Sequence, residues 1–419
     1  MLNGGGGLNP DGLSLDLQFA ADKTLTARKG PTPVFTRASS ATFVGSNGLI
    51  QSASTNTPRF DHTSAGVCRG LLIEESRTNL IAQSGNASLW PNSNGTVTNN
   101  GSTTAPDGSS NGFLGGIGNA NLTTPATSSV TGLHTASVFL KRNNTDWARV
   151  QVAQGSFAHA VNFWVNLATG AAGTLAVAVG TPTSLSAQVT PFGNSWYRVS
   201  ITASYPATDS LTLTVISATA NNSTTRVSGS VYEIWGGQVE AGSFPTSYIP
   251  TTTGSVVRSA DVCSISGGNF NNFYNQSEGT LFADITPQSI AQLATVLAVN
   301  SGSSQNQHGI YKTNAAFAAA GLRWGATSVL TGFVTQAAIV TGTDVAISRS
   351  KLSYAYKLDD FSFAYAGTIV GTDTSGTLPS PTTMQIGNRD GTLQINGHLA
   401  SIRYYKKRLP NAKLQALTA

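Results

Sequence analysis

From Leu13 to Ala20 the chain reads LSLDLQFA, with Leu13, Leu15, Leu17 and Phe19 alternating with Ser14, Asp16 and Gln18. A period of two places one set of side chains on each face of an extended chain, so this segment predicts a half-buried β-strand. The alternation returns in TASVFLKRNNTDWARVQVAQG, which reads as strand, polar turn from Asn143 to Asp146, and strand again. HAVNFWVNLATG, NSWYRVSITASY, SLTLTVISAT and GSVYEIWGGQVEAG follow at the spacing of a β-sandwich. Upstream, from Gln83 to Gly132, the sequence is mostly Asn, Ser, Thr and Gly with Trp90, Phe113 and Leu114 as anchors, and predicts few strands.

The stretch from Ser243 to Val262, SFPTSYIPTTTGSVVRSADV, lacks strand continuity and reads as an exit strap or domain joint. A second β series follows it: GTLFADITPQ, ATVLAVN, HGIYKT, AGLRWGA, SKLSYAYKLDDFSFAYAG, TTMQIGNRDG and INGHLASIRYYKKRL. Its last segment, LPNAKLQAL, has Pro410 where a short helix can open. The expected fold class is all-β: a β-rich attachment arm over 1–82, a first sandwich over 83–262 and a second over 263–419.

Composition narrows the class. Charged residues make up only 10% of the 419 positions, against about 25% in ordinary soluble domains. Gly, Ser, Thr, Asn and Ala fill the gap, which suits all-β extracellular or virion surfaces rather than a typical cytosolic enzyme. The net charge of +5 reflects few acids (19) rather than many bases (24), so nucleic-acid binding is not expected. The basic cluster RYYKKRL, Arg403 to Leu409, reads first as a solvated strand edge. Cys68 and Cys263 have no metal-ligand spacing, so neither a zinc site nor a disulfide framework is expected. MLNGGGGLNPDG has neither a basic n-region nor an apolar h-region, and no secretory signal is expected. The longest apolar run, AAFAAAGL from Ala315, is too short and Gly-broken for membrane insertion.

Four stretches, FTRASSATF, PRFD, CRGLLIEESRTNL and GGQVEAGSFPTSYIPTTTGSVVRSADV, resemble a family of tailed-bacteriophage virion proteins known as head-spike, head-fibre or tail-fibre-like proteins. The resemblance covers nearly the whole chain. It implies that the first sandwich is a carbohydrate-binding-module-like jelly roll and that the second is similar to concanavalin A and laminin G folds, with GHLASIRYYKKRLPNAKLQALT as its last strand and helix. Lys413 stands where such proteins often carry an acid in that helix.

The function so implied is structural: a head or tail fibre, spike or decoration protein of a virion assembled in the host cytoplasm. The arm would dock on capsid or tail proteins, and a homotrimer is expected, because repeated weak contacts multiply into avidity. A receptor-binding fibre recognising a host glycan is one alternative, and a polysaccharide depolymerase is another.

Glycoside cleavage needs two carboxylates about 5–5.5 Å apart or about 6.5–9.5 Å apart across one bond. Glu74 and Glu75 are neighbours, as are Asp359 and Asp360, and adjacent strand residues point to opposite faces. The five histidines sit in unrelated contexts, with no G-x-S-x-G elbow, P-loop or H-E-x-x-H. No enzyme activity is therefore expected.

No cofactor is expected either. Calcium is the ion that related jelly rolls and laminin-G-like folds often hold through carboxylates and backbone carbonyls, with Asp107 in APDGSS and Asp390 in NRDG as weak candidate ligands, each more readily the acid of an ordinary Asp-Gly turn. Sugar stacking needs exposed aromatic faces. Trp147, beside its polar turn, and Trp164, flanked on its own face by Asn162 and Asn166, are the carbohydrate-binding candidates, whereas Trp196 and Trp235 read as core. Arg77 is expected to pair with Glu240, or with Glu75 two residues back, as a clamp that closes the jelly roll.

Overall fold

A computed structural model describes residues 11–93, 96–100, 103–110, 112–117, 121–226, 228–290, 292–302, 305–313, 323–330, 334–342 and 344–419. The Gly-rich start over 1–10 and the apolar run over 315–322 lie outside the described residues. The fold class is all-β, with two sandwiches. Among the described residues no helix is long and apolar enough to cross a membrane.

The jelly roll stacks two six-stranded antiparallel sheets. One runs Thr183–Pro191, Trp196–Asp209, Val130–Arg142, Tyr232–Ala241, Phe113–Ile117 and Thr96–Asn99; the other runs Ala172–Val179, His159–Asn166, Trp147–Gln154, Leu211–Ala218, Asn121–Thr123 and Asn92–Ser93. Alternate residues of facing strands, such as Val138, Val150, Phe163, Val199 and Val215, bury between them.

The second sandwich departs from the expected linear order of arm, jelly roll and sandwich. Its eight-stranded sheet contains Glu278–Pro287, Ser350–Lys357 and Gly397–Tyr405, but also Leu13–Leu17, Phe60–His62 and Cys68–Ile73. Leu13–Leu17 and Cys68–Ile73 pair with opposite ends of one edge of Gly397–Tyr405: Leu17 lies opposite Ile402, and Leu72 opposite His398. In the facing seven-stranded sheet, Val34–Thr36 pairs with Val262–Ser266. The region expected as an arm over 1–82 thus gives this sandwich the strands Leu13–Leu17, Val34–Thr36, Phe60–His62 and Cys68–Ile73, with Ala41–Val44 and Ile50–Ala53 as a separate hairpin.

The reason is the apolar stripe itself. Leu15, Leu17 and Phe19 are fully buried beside Leu281, Leu399 and Ile402, and a free arm would leave that stripe and its unpaired backbone in water. The jelly roll is therefore an insertion. The chain enters it through Arg77–Asn79 and leaves through Val256–Arg258, and these two short strands pair antiparallel, Arg77 opposite Arg258. After Pro410 a helix, Asn411–Thr418, closes the chain and buries Leu414 beside Tyr405 and Leu409.

Candidate functional site

The joint between the two sandwiches collects the charges that the sequence spreads thinly. Glu74 directly follows the strand Cys68–Ile73, before the chain enters the jelly roll at Arg77–Asn79, and its side chain is fully buried. Its carboxylate accepts from Arg59 Nη1 at 2.8 Å, from Arg258 Nη1, and from the backbone N–H and hydroxyl of Ser247, both at 2.7 Å. Asp261, also fully buried, accepts from Arg37 Nη1 at 3.2 Å, from Arg59 Nη2 and from the Glu74 backbone N–H at 2.8 Å. Burial alone would push the Glu74 carboxyl up; the guanidinium charges of Arg258 and Arg59 and the two Ser247 bonds outweigh it and hold the group well below the usual carboxylate range. A carboxylate held in this way by two guanidinium groups and Ser247 is a structural anion.

Glu75 points the other way. Its Oε1 lies 2.5 Å from Arg77 Nη2, its Oε2 accepts from Gln292 Nε2 at 2.9 Å, and its backbone N–H donates to Asn396 Oδ1 at 2.8 Å. The Arg77 guanidinium also stacks on Phe244, 5.0 Å from the ring centre. Glu240 is not part of this pair. Fully buried, it accepts from Gln238 Nε2 at 2.5 Å and from the N–H and hydroxyl of Thr246 at 2.9 and 2.7 Å, so it ties the exit strap to the jelly roll.

Beside this network lies a cleft of about 340 Å³. Its walls come from the hairpin Ala41–Val44/Ile50–Ala53, the outer face of one jelly-roll sheet, the strap at Pro245 to Tyr248, and the sandwich edge at Pro287 and Gln288. Phe43 and Phe192 are half-buried in the wall, and Phe192 packs edge-on against Phe139 at 5.3 Å. Among the described residues, three wall residues carry a buried polar atom without a hydrogen-bond partner: His62 Nε2, Arg198 Nε and Gln288 Oε1. His62 Nδ1 lies 3.1 Å from the Val44 carbonyl; donating there leaves Nε2 as an acceptor. Arg198 spends its two terminal nitrogens on the Thr246 carbonyl at 2.7 Å and the Ser137 hydroxyl at 3.0 Å, and burial lowers its pKa. Asp61 lines the same cleft and is held by the Val44 N–H at 2.7 Å and His398 Nε2 at 2.7 Å. None of these residues stands near another in a recognisable motif, and sequence reasoning missed the whole set.

The other sequence candidates are placed as follows. Gln151, Asn162 and Trp164 share the outer face of the second jelly-roll sheet, where Asn162 accepts from Gln151 at 2.8 Å and Trp164 is buried with its indole N–H donated to the Ser223 carbonyl at 2.8 Å. Asn166 caps a turn, its Oδ1 accepting from the N–H groups of Ala168 and Thr169. Trp147 pairs in register with Asn166 and stays partly exposed, so this group sits on one sheet face but its amides and one indole are engaged within the protein. Asp107 accepts from Ser109 N–H and hydroxyl in its turn; Asp390 accepts from Asn300 at 3.1 and 3.2 Å and from Gln385 at 3.3 Å. Among the described residues no three His, Cys, Asp or Glu side chains group to hold a metal. In RYYKKRL, Arg403 pairs with Asp16, Arg408 with Asp360, and Tyr404 is core.

No family model and no curated protein matches the chain. Among solved structures it is similar to the Ruminococcus gnavus IT-sialidase CBM40 bound to alpha2,3 sialyllactose, at 14% identity over 36% of this chain and 88% of that one, with a TM-score of 0.30. The NanB sialidase of Streptococcus pneumoniae matches at 12% identity over 37% of this chain and 26% of that one, with a TM-score of 0.30. A heptameric SAP-like pentraxin from Limulus polyphemus matches at 11% identity over 34% and 70% of the two chains, with a TM-score of 0.26.

Proposed function

We propose that the protein is a non-catalytic display protein of a tailed-phage virion and that it binds a saccharide unit in the cleft between its two sandwiches. One observation carries the binding reading: the residues lining the cleft include Arg198, with a buried unpartnered donor in Nε, His62 and Gln288, with buried unpartnered acceptors in Nε2 and Oε1, and the half-buried Phe43 and Phe192. A pyranose matches that mixture, because each hydroxyl both donates and accepts while the C–H face of the ring stacks on an aromatic. The virion placement rests on the four family-like motifs and on a surface poor in charge. A non-catalytic role is supported by Glu74, whose carboxylate is consumed by two arginines and a serine.

A glycan array probed with the full chain tests the binding. Hits are expected, and Gln288→Leu and Phe192→Ala are each expected to weaken the strongest hit by about tenfold, the loss of roughly one hydrogen bond or one stacking face. An array without hits, or hits indifferent to both substitutions, removes the cleft from the reading. Immunogold imaging of intact virions tests the placement. Native mass measurement tests the proposed homotrimer, which a stable monomer would exclude.

A further inference from the structure

The seven-stranded sheet of the second sandwich buries Ile310, Trp324 and Ala326 in the core, and the alternate positions Thr295, Tyr311, Thr327 and Val329 face outwards. Tyr311 pairs in register with Thr295 on one side and with Gly325 on the other, and Thr327 pairs with Gly309. The two glycines add no side chain to this face. Over it runs the turn from Arg389 to Leu393, fixed by the Thr295 N–H donating to the Leu393 carbonyl at 2.8 Å and by mutual backbone bonds of 2.8 Å between Arg389 and Thr392. Sheet and turn enclose a cavity of about 280 Å³ whose surface is mainly apolar, with Leu293, Val329 and Leu393 as its largest aliphatic groups.

Two polar features in this apolar cavity have unused capacity. Thr295 is fully buried, and its hydroxyl has no hydrogen-bond partner among the described residues. Arg389, on the rim, makes no side-chain hydrogen bond or ion pair among the described residues; its charge acts on the Tyr311 hydroxyl, which itself donates to Gln307 Oε1 at 3.3 Å. The neighbouring acid, Asp390, makes no ion pair with it: its oxygens accept from Asn300 and Gln385, although its charge also reaches the Tyr311 hydroxyl. An apolar cavity with one free guanidinium at its mouth and one orphan hydroxyl inside is complementary to a small anion with an aliphatic body.

We propose that this cavity is a second binding site, separate from the cleft, for a small amphipathic carboxylate whose apolar body lies against Leu293, Val329 and Leu393 and whose carboxylate is held by Arg389. Octanoate is the probe and octanamide its neutral counterpart, titrated calorimetrically into the full chain. Saturable octanoate binding is expected, at least about tenfold tighter than octanamide, the difference between a charge-assisted bond to a guanidinium and a neutral one. Arg389→Gln should bring octanoate down to the octanamide level and leave octanamide unchanged. Val329→Trp, which fills the cavity from its floor, should abolish both while the thermal midpoint holds. Absence of saturable octanoate binding by about 10 mM, a decade weaker than millimolar affinity, would overturn the proposal, as would equal octanoate affinity in the wild type and Arg389→Gln.

Discussion

Glu74 holds together residues that lie as far away in sequence as Arg258, and the cost of losing it follows from what it leaves behind. Three guanidinium groups, Arg37, Arg59 and Arg258, are buried, and among the described residues their ion-pair partners are Glu74 and Asp261. Glu74→Gln strands that charge and is expected to cost roughly 3–5 kcal/mol at pH 7 in urea unfolding. The sign of the pH dependence is set by the carboxyl being held below its ordinary value of 4.5 in the folded state. The stabilisation is fully present above that value and drains away as pH falls through it towards the folded pKa, because the unfolded chain takes up the proton first. The gap between wild type and Glu74→Gln should therefore narrow between pH 6 and pH 3; a constant gap would show that Glu74 is not the titrating group. Gly242 supplies an independent test of the neighbouring Arg77 site. Its φ is +123°, and a Cβ there would sit 1.8 Å from Arg77 Nη1. Gly242→Ala should destabilise by at least about 1–3 kcal/mol, and less in an Arg77→Ala background, since the two residues compete for one space. From sequence, alternation shows that Glu74 and Glu75 face apart; it carries no information on which arginines reach Glu74.

The strand Leu13–Leu17 makes the same point one level up. Its alternating leucines were readable as a half-buried strand, and the readable pattern stops there. Its partner, Gly397–Tyr405, lies almost at the other end of the chain, and nothing local in LSLDLQFA distinguishes an edge strand of a sandwich from a free arm. The burial of Leu15, Leu17, Leu71 and Ile73 settles the matter energetically, since each fully buried aliphatic side chain contributes about 1.5–3 kcal/mol. A chain that begins at Ser76 should consequently lose the second sandwich, with Gly397–Tyr405 left unpaired along one edge and Val262–Ser266 stripped of Val34–Thr36. Calorimetry of that chain is expected to show only the jelly-roll transition, and the exposed strand edges should make it aggregate. Two retained cooperative transitions would restore the idea of a detachable arm.

The inserted jelly roll raises the question of whether the two sandwiches unfold together. The series of strands in each was visible as period-two runs, so the all-β class could be read directly. The cleft could not, because its walls come from stretches as far apart as Thr42, Phe139, Arg198 and Gln288, which meet only when the insertion docks. The path of coupling is specific. Glu240 grips Thr246 of the strap, Gln238 Oε1 accepts from the Ile249 N–H at 2.7 Å, and the adjoining Ser247 hands two hydrogen bonds to Glu74. Glu74 in turn meets Arg59, which belongs to the second sandwich. Chains of this size commonly unfold domain by domain, and two sandwiches joined by a simple two-strand ribbon would do so. Here, opening the joint alone exposes a charge network without dissolving either core, and breaking a buried network costs about 3–5 kcal/mol. The wild type is expected to show one calorimetric transition at pH 7. Glu74→Gln should split it into two, the jelly roll and the second sandwich melting apart, and acidification of the wild type towards pH 3 should favour the same split, because the carboxylate takes up a proton once the joint opens and not before. Two transitions in the wild type at pH 7 would mean that the joint is too weak to couple the domains, and the cleft between them would then have to be treated as a surface that opens.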